Sequence, residues 1–178
     1  MKKIIAIGGS NSKNSINKTL AAYAANQIQD VDVVVLDLND FELPIYGIDL
    51  EQDNGIPEDA KSLNTLLESA DGFVISLAEH NGAYTAYFKN ILDWLSRIDI
   101  KIWKNKPILL LATSPGARGG RIILQSAKDY FPFLGGNVVA EFSLPNFFDN
   151  FSDNTILDKE LSHRLTREIS LFEQELRL

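Results

Sequence analysis

Residues 7–17, "IGGSNSKNSIN", decide how this chain is read. They begin where the apolar run Ile4, Ile5, Ala6 and Ile7 stops, and they lead into a segment with helical spacing. Eleven positions hold two glycines, three serines and three asparagines, too many small hydrogen-bonding groups for an idle connection. A helix beginning near Ile16 leaves its first amides without intrahelical partners, and its dipole makes that end mildly positive. Ser10, Ser12 and Ser15 add hydroxyls, while Gly8 and Gly9 let the backbone turn closely. An anion, most often a phosphate, is held in this way without a large cationic cluster. Ser15 is equally a candidate helix N-cap, since serine is among the preferred caps. The loop lacks the Gly-Lys-Ser/Thr of a Walker loop and the G-x-G-x-x-G dinucleotide pattern.

The same strand-to-helix alternation continues along the chain. Apolar runs predict strands over Lys3–Ile7, Val31–Leu38, Gly72–Leu77, Pro107–Ala112 and Asn137–Phe142. Amphipathic spacing predicts helices over Ile16–Gln29, Pro57–Ser69, Tyr84–Arg97, Gly120–Phe131 and Asp158–Leu178. Leu20, Tyr23, Ala24 and Ile28 recur at helical intervals, as do Leu161, Leu165, Ile169 and Phe172. Several strands are apolar almost throughout, as parallel strands covered on both faces are. Five β-then-α units therefore predict a three-layer α/β/α sandwich with a five-stranded parallel sheet, its crossovers right-handed, in one domain spanning residues 1–178. Asp40–Ile56 and Pro145–Thr155 read as long connections. Ligands of such sheets bind beyond the carboxyl ends of the strands, where the strand order reverses. That rule selects three loops: Gly8–Ser15, Ala78–Thr85 and Thr113–Gly120.

Composition narrows the classes. The chain has 178 residues, 45% of them hydrophobic, enough for a sizeable core. Its net charge of −7 argues against broad nucleic-acid binding. With no cysteine it has neither a disulfide framework nor a thiolate metal site, so redox chemistry needs a borrowed cofactor. Only His80 and His163 are available for a histidine metal site, which argues against a metal. No apolar window reaches the roughly 18 residues of a membrane span, and the run after the two N-terminal lysines is shorter than a signal peptide's ~7–15-residue core. The expectation is a cytoplasmic globular domain that binds neither membrane nor nucleic acid.

The second loop opens the stretch "AEHNGAYTAYFKNILDWLSR" (residues 78–97). Glu79, His80 and Asn81 stand at a strand's carboxyl end, with no ordered Ser/His/Asp triad nearby. Asn81-Gly82 reads as a tight turn, or as part of a backbone edge that grips a planar heterocycle. The third loop lies in "TSPGARGGRI" (residues 113–122). Gly116, Gly119 and Gly120 permit either ordinary turns or close approach of backbone to a ligand. Arg118 and Arg121 either attract an anionic partner or are simply solvated.

Taken together, the three stretches resemble the NAD(P)H-dependent FMN reductase family, which has a flavodoxin-like fold. "GGSNSKNSINKTLA" is similar to that family's G-S-x-R-x-x-S-x-N-x-x-L-A. "AEHNGAYTAYFKNILDWLSR" is similar to its P-E-Y-N-x-x-x-P-G-x-L-K-N-A-I-D-W-x-S-R, and "SPGARGG" to its S-x-G-x-x-G-G. The motifs occur in the family's order, and the likeness fades after about Phe142. The resemblance implies that Ser10, Ser12, Ser15, Ile16 and Asn17 lie at the FMN phosphate. It implies that Ala78, Glu79, His80 and Asn81 border the isoalloxazine ring, with Ser114, Gly116, Gly119 and Gly120 closing its other side. Lys89 to Arg97 would lie on a helix that family members use for dimer packing.

The reaction implied is hydride transfer from NAD(P)H to bound FMN and on to a flavin, quinone or similar small acceptor, with no side chain acting as nucleophile or general base. A non-enzymatic flavodoxin-like electron carrier and a flavin-free interaction domain of the same fold are the alternative readings. Phe88, Trp94 and Trp103 exceed what one buried face needs, which together with the resemblance predicts a homodimer or a dimer of dimers. The chain also departs from the family pattern. Ser12 stands in place of the first motif's arginine, Ala78 in place of proline, His80 in place of tyrosine, and Thr85-Ala86 in place of Pro-Gly. Losing the arginine predicts use of both NADH and NADPH, with less than roughly 100-fold preference.

Overall fold

The computed structural model describes residues 1–177. Its centre is a parallel sheet of β1 (Lys2–Gly9), β2 (Val31–Leu36), β3 (Gly72–Leu77), β4 (Lys106–Thr113) and β5 (Gly136–Leu144). The spatial order is β2-β1-β3-β4-β5, the flavodoxin-like arrangement, with its switch point between β1 and β3. Among the described residues seven α-helices accompany it: α1 (Ile16–Ala25), α2 (Ile48–Asn54), α3 (Glu58–Glu68), α4 (Ala86–Ile98), α5 (Arg121–Tyr130), α6 (Phe147–Asn150) and α7 (Lys159–Leu176). No helix among the described residues is long and apolar enough to cross a membrane.

Alternation along the strands builds two cores. Ile5, Ile7, Phe73, Ile75, Ile108 and Leu110 face α3, α4 and α5, meeting Leu63, Leu67, Ile91, Leu95 and Ile123. Ile4, Ala6, Val74, Leu109 and Leu111 face α1 and α7, meeting Leu20, Ala24, Leu165, Ile169 and Phe172. All six residues of β3 are buried, which is why its sequence shows no polar alternation. Each buried large aliphatic or aromatic side chain contributes about 1.5–3 kcal/mol of transfer free energy.

Several boundaries differ from expectation. The first helix stops at Ala25. The Asn26 amide still bonds Ala22 O at 3.0 Å, but the Gln27 and Ile28 amides bond only three residues back, to Ala24 O and Ala25 O at 3.2 and 3.1 Å, tightening the last turn. The Asn26 side chain adds a second bond to Ala22 O at 2.8 Å. The chain then turns through Asp30, whose φ is 57°. β2 ends at Leu36, and Asp37 caps a 3₁₀ turn over Leu38–Asp40. The connection 40–56 contains α2, and the segment 145–155 contains α6 and part of a small hairpin pairing Phe151–Ser152 with Thr155–Ile156. β5 carries a bulge at Val139, with Ile108 opposite Val138 but Leu109 opposite Ala140. Position 178, the expected end of the last helix, lies outside the described residues.

Polar and aromatic side chains of α4 fasten the 40–56 connection. The Trp94 indole N–H donates to the Pro44 carbonyl at 2.7 Å, and its ring meets Tyr46 edge-on at 5.1 Å. Asn90 accepts from the Tyr46 amide at 2.8 Å and donates to Pro44 O at 3.0 Å. Arg97 pairs with Glu51 at 2.9 Å, and Glu51 also accepts from the Tyr46 hydroxyl. Phe88, Trp94 and Trp103 are each at most 1% exposed within the chain itself. The surplus of aromatics that pointed to a partner surface is therefore consumed internally, by this clamp and by the core. Ile45, 87% exposed, and Ile48, 51% exposed, are what the clamp presents outward.

Candidate active site

At the carboxyl end of β1, Gly8 is required by space. A Cβ there would stand 2.4 Å from the Lys18 amide nitrogen, so α1 lies directly on this backbone. The Ser10 amide then bonds back to Gly8 O at 2.8 Å, and Ser10 Oγ accepts from the Ser12 amide at 3.1 Å. Ser15 caps α1, its Oγ accepting from the Lys18 amide at 3.1 Å. The expected cap is thus present, and the Ser10 and Ser15 hydroxyl hydrogens stay free to donate. The Ile16 and Asn17 amides have no acceptor among the described residues. The Asp37 carboxylate reaches the first turn of α1 but is paired with the Lys18 ammonium at 2.5 Å. That ammonium and the Asn39 amide hold the Asp37 carboxyl down at about 2.

Asn17 behaves differently from the serines. Its side chain is buried and turned inward, accepting from Ser76 Oγ at 2.7 Å and from the Thr113 amide at 3.0 Å while donating to Thr113 O at 3.1 Å. It ties α1 to the carboxyl ends of β3 and β4. What position 17 offers an anion is its amide, not its side chain.

The second loop is a two-residue hairpin. Glu79–His80 pairs with Ala83–Tyr84 through Asn81 and Gly82, both in the left-handed region at φ 53° and 75°. The tight turn expected from Asn-Gly is therefore present. His80 and Asn81 are exposed, and Ala78 is half-buried. Glu79 leans away from the turn: its carboxylate accepts from the Ile122 and Ile123 amides at 3.1 and 3.2 Å, capping α5 from outside. The helix needs this, because its own N-cap is Gly120, which has no side chain to offer. That missing cap was the signal in the sequence. Thr85, buried, donates to Gly9 O at 2.9 Å and caps α4 by accepting from the Phe88 amide. It locks the hairpin against the first loop where the family pattern has proline.

The third loop is pinned at its far end. Gly119 and Gly120 have φ of 56° and 72°, and a Cβ on Gly119 would lie 2.5 Å from Ser143 Oγ and 2.9 Å from Pro145 N. The Gly119 carbonyl accepts from Ser143 Oγ at 2.9 Å, and Gly116 O accepts from the Asn146 amide at 3.0 Å. Nearer β4, the Ser114 carbonyl accepts from the Phe147 amide at 3.0 Å. Gly116 is exposed with nothing near its missing side chain, while Ser114 donates weakly to Gly116 O at 3.2 Å.

The three loops meet at the switch point through Thr85, Asn17 and Glu79. Their outer surfaces offer amides, hydroxyls and glycine backbone, an edge suited to a phosphate and a flat polar ring. No cluster of histidine, aspartate and glutamate suited to a metal exists among the described residues.

Comparison with known proteins accords with this geometry. Residues 2–149 match the family described as NADPH-dependent FMN reductase. The chain is 35% identical over 134 residues to 2-hydroxy-1,4-benzoquinone reductase of a Burkholderia species, covering 74% of this chain and 71% of that protein. It is 26% identical over 183 residues to quinone reductase of Escherichia coli K12, covering 96% and 93%. The flavoenzyme NAD(P)H:(acceptor) oxidoreductase FerB of Paracoccus denitrificans superposes with a TM-score of 0.78 at 24% identity, covering 99% and 98%. That likeness supports the fold. With the match extending over residues 2–149, the chain belongs to the NADPH-dependent FMN reductase family.

Proposed function

We propose that this FMN- and NAD(P)H-dependent oxidoreductase holds its flavin across the three loops and passes electrons to a small quinone or flavin. The observation that carries the assignment is the pair of unpartnered amides, Ile16 and Asn17, beside Ser10 and Ser15, whose hydroxyls accept from backbone amides and have no acceptor for their own hydrogens among the described residues. These groups fit a phosphate, and amide donors to a charged acceptor contribute roughly 1.5–3 kcal/mol each. Ala78, Glu79, His80 and Asn81 would border one edge of the ring, with Ser114, Gly116, Gly119 and Gly120 along the other. Glu79 acts there through its grip on α5. When bound, FMN supplies hydride acceptance from the nicotinamide and onward delivery of electrons. The chain's own part is to bind and orient, so neither His80 nor any other side chain is required as nucleophile or base.

The quinone acceptor is suggested by the names of the relatives, and the exposed Gly116, with open space where a side chain would stand, leaves room for a planar molecule. We place the working protein in the cytoplasm as one domain of 1–178. We further propose that it forms a homodimer through the outward-facing Ile45 and Ile48, which a rigid clamp presents. A monomeric mass by light scattering at micromolar concentration would remove the dimer. The flavin site is tested by titrating the apoprotein with FMN and with riboflavin. FMN should bind at least about 100-fold tighter, as two charge-assisted contacts require. Ser10→Ala should narrow that ratio; equal affinities for the two flavins would end the phosphate assignment.

A further inference from the structure

Beyond the third loop, on the open edge of β5, lies a cavity of about 260 Å³ lined by Arg121, Gln125, Glu141, Phe142, Ser143 and Arg164, among others. Arg121 comes from the first turn of α5 and Arg164 from α7, so two separate elements each bring an exposed arginine to the lining of one space. Neither arginine has a carboxylate partner among the described residues. The carboxylates nearby are already occupied: Glu141 pairs with Lys128 at 3.0 Å and Glu168 with Arg167 at 3.4 Å. The Arg164 guanidinium instead rests over the Phe142 ring at 5.9 Å, which orients its charge without neutralising it. In a chain of net charge −7, two arginines without carboxylate partners bordering one hollow, whose Glu141 is paired with Lys128, make a locally positive patch.

Size and position identify the anion. A volume of about 260 Å³ is below the roughly 300–1,000 Å³ that holds a whole drug-sized ligand, so this is room for a charged group and not for a nucleotide. Its wall is shared with the candidate flavin site: Arg121 directly follows Gly120, and Ser143, in the cavity lining, bonds Gly119. A nicotinamide nucleotide whose ring reaches the loops would meet the two arginines if its adenosine half extended toward this edge. We propose that Arg121 and Arg164 form the receptor for the 2′-phosphate of NADPH, supplying the charge that Ser12 does not. The proposal rests on the nicotinamide-using reading of the three loops. Paired guanidiniums suit a phosphate because each offers a planar fork of donors.

The test is calorimetric and uses the FMN-loaded protein, titrated with 2′,5′-ADP, with 5′-AMP and with inorganic phosphate. The wild type should bind 2′,5′-ADP roughly tenfold or more tightly than 5′-AMP, the gain of one charge-assisted contact or better. Arg121→Gln and Arg164→Gln should each shrink that ratio and the double variant should abolish it, with FMN affinity unchanged; the two lysine variants should retain part of it. Equal affinities in the wild type, or a ratio that survives in the double variant, would overturn the assignment. So would inorganic phosphate binding as tightly as 2′,5′-ADP, which would make this a site for free phosphate. Failure of the flavin reading appears separately, as a protein that takes up no FMN, and the nucleotide titration still reads the arginines in that case.

Discussion

Replacing Asn17 by alanine is the sharpest test of how the candidate site is built. The side chain is 2% exposed and joins residues 59 and 96 positions away through three hydrogen bonds of 2.7–3.1 Å. Alanine leaves the Thr113 amide and the Ser76 hydroxyl as buried donors without an acceptor. An unsatisfied buried group costs about 1–3 kcal/mol, so the loss should come to about 3–4 kcal/mol. For a chain of this length, each kcal/mol lowers Tm by about 2–4 °C, which makes the expected drop roughly 6–16 °C. The assay is urea unfolding of the flavin-free protein, so that ligand binding does not mask the change. Asn17→Asp adds a signed test. Its carboxyl must face the Thr113 carbonyl while buried, which favours the protonated form and raises the folded-state pKa above the ordinary value of about 3.9. Stability relative to wild type is then best preserved below about pH 4 and is lost as pH rises through the raised value. A loss under about 1 kcal/mol for Asn17→Ala, or an Asn17→Asp deficit flat with pH, would refute the account of Asn17 as the tie between α1, β3 and β4.

The third loop offers a matched pair. Gly119→Ala should cost more than about 2 kcal/mol from positive φ and its clash with Ser143 and Pro145, whereas Gly116→Ala should fall within about 0.5 kcal/mol; thermal melts of both decide it. Glu79→Ala should cost about 1–2 kcal/mol by uncapping α5, and Glu79→Gln distinctly less because its amide oxygen still accepts; chemical denaturation that ranks them equal would contradict the capping role. The Lys18–Asp37 pair lowers the Asp37 pKa from 3.8 to about 2, so its contribution is full above pH 4 and disappears between about pH 4 and 2. Because Asp37 is 36% exposed, that contribution is about 1 kcal/mol or less, and acid titration of Lys18→Gln against wild type should show the difference closing in that window.

The architecture was legible because burial leaves its mark directly on residue type. A strand such as β3, covered on both faces, has no polar alternation, and the α1 and α7 stripes repeat at helical spacing. Elements held by tertiary polar contacts left no such mark. Nothing periodic announces α2, seven residues without a buried side chain, and it sits against α4 through Arg97 and Glu51. The premature end of α1 likewise lies in a switch of the Gln27 and Ile28 amides to carbonyls three residues back, which no periodicity in residue type announces.

The candidate site was legible as a set of loops but not as a division of labour. Asn17, Glu79 and Thr85 carry the polar atoms that draw attention in the sequence. In the fold, each is spent on tying one loop to another or on capping a helix. Their work leaves the plainest groups, the Ile16 and Asn17 amides and the backbone near Gly116, as the outward surface. Spending side chains on the scaffold holds those amides rigidly, so a ligand need not order them when it binds, and less of its binding energy is lost to entropy. The same logic explains why Ser12 and Ala78 can replace larger family residues without dismantling the site. Neither lies on a tie between the loops: the only inter-residue bond of Ser12 described is local, to Ser10. Substitutions at such free positions should retune affinity and nucleotide choice, while substitutions at the ties should be felt first as lost stability.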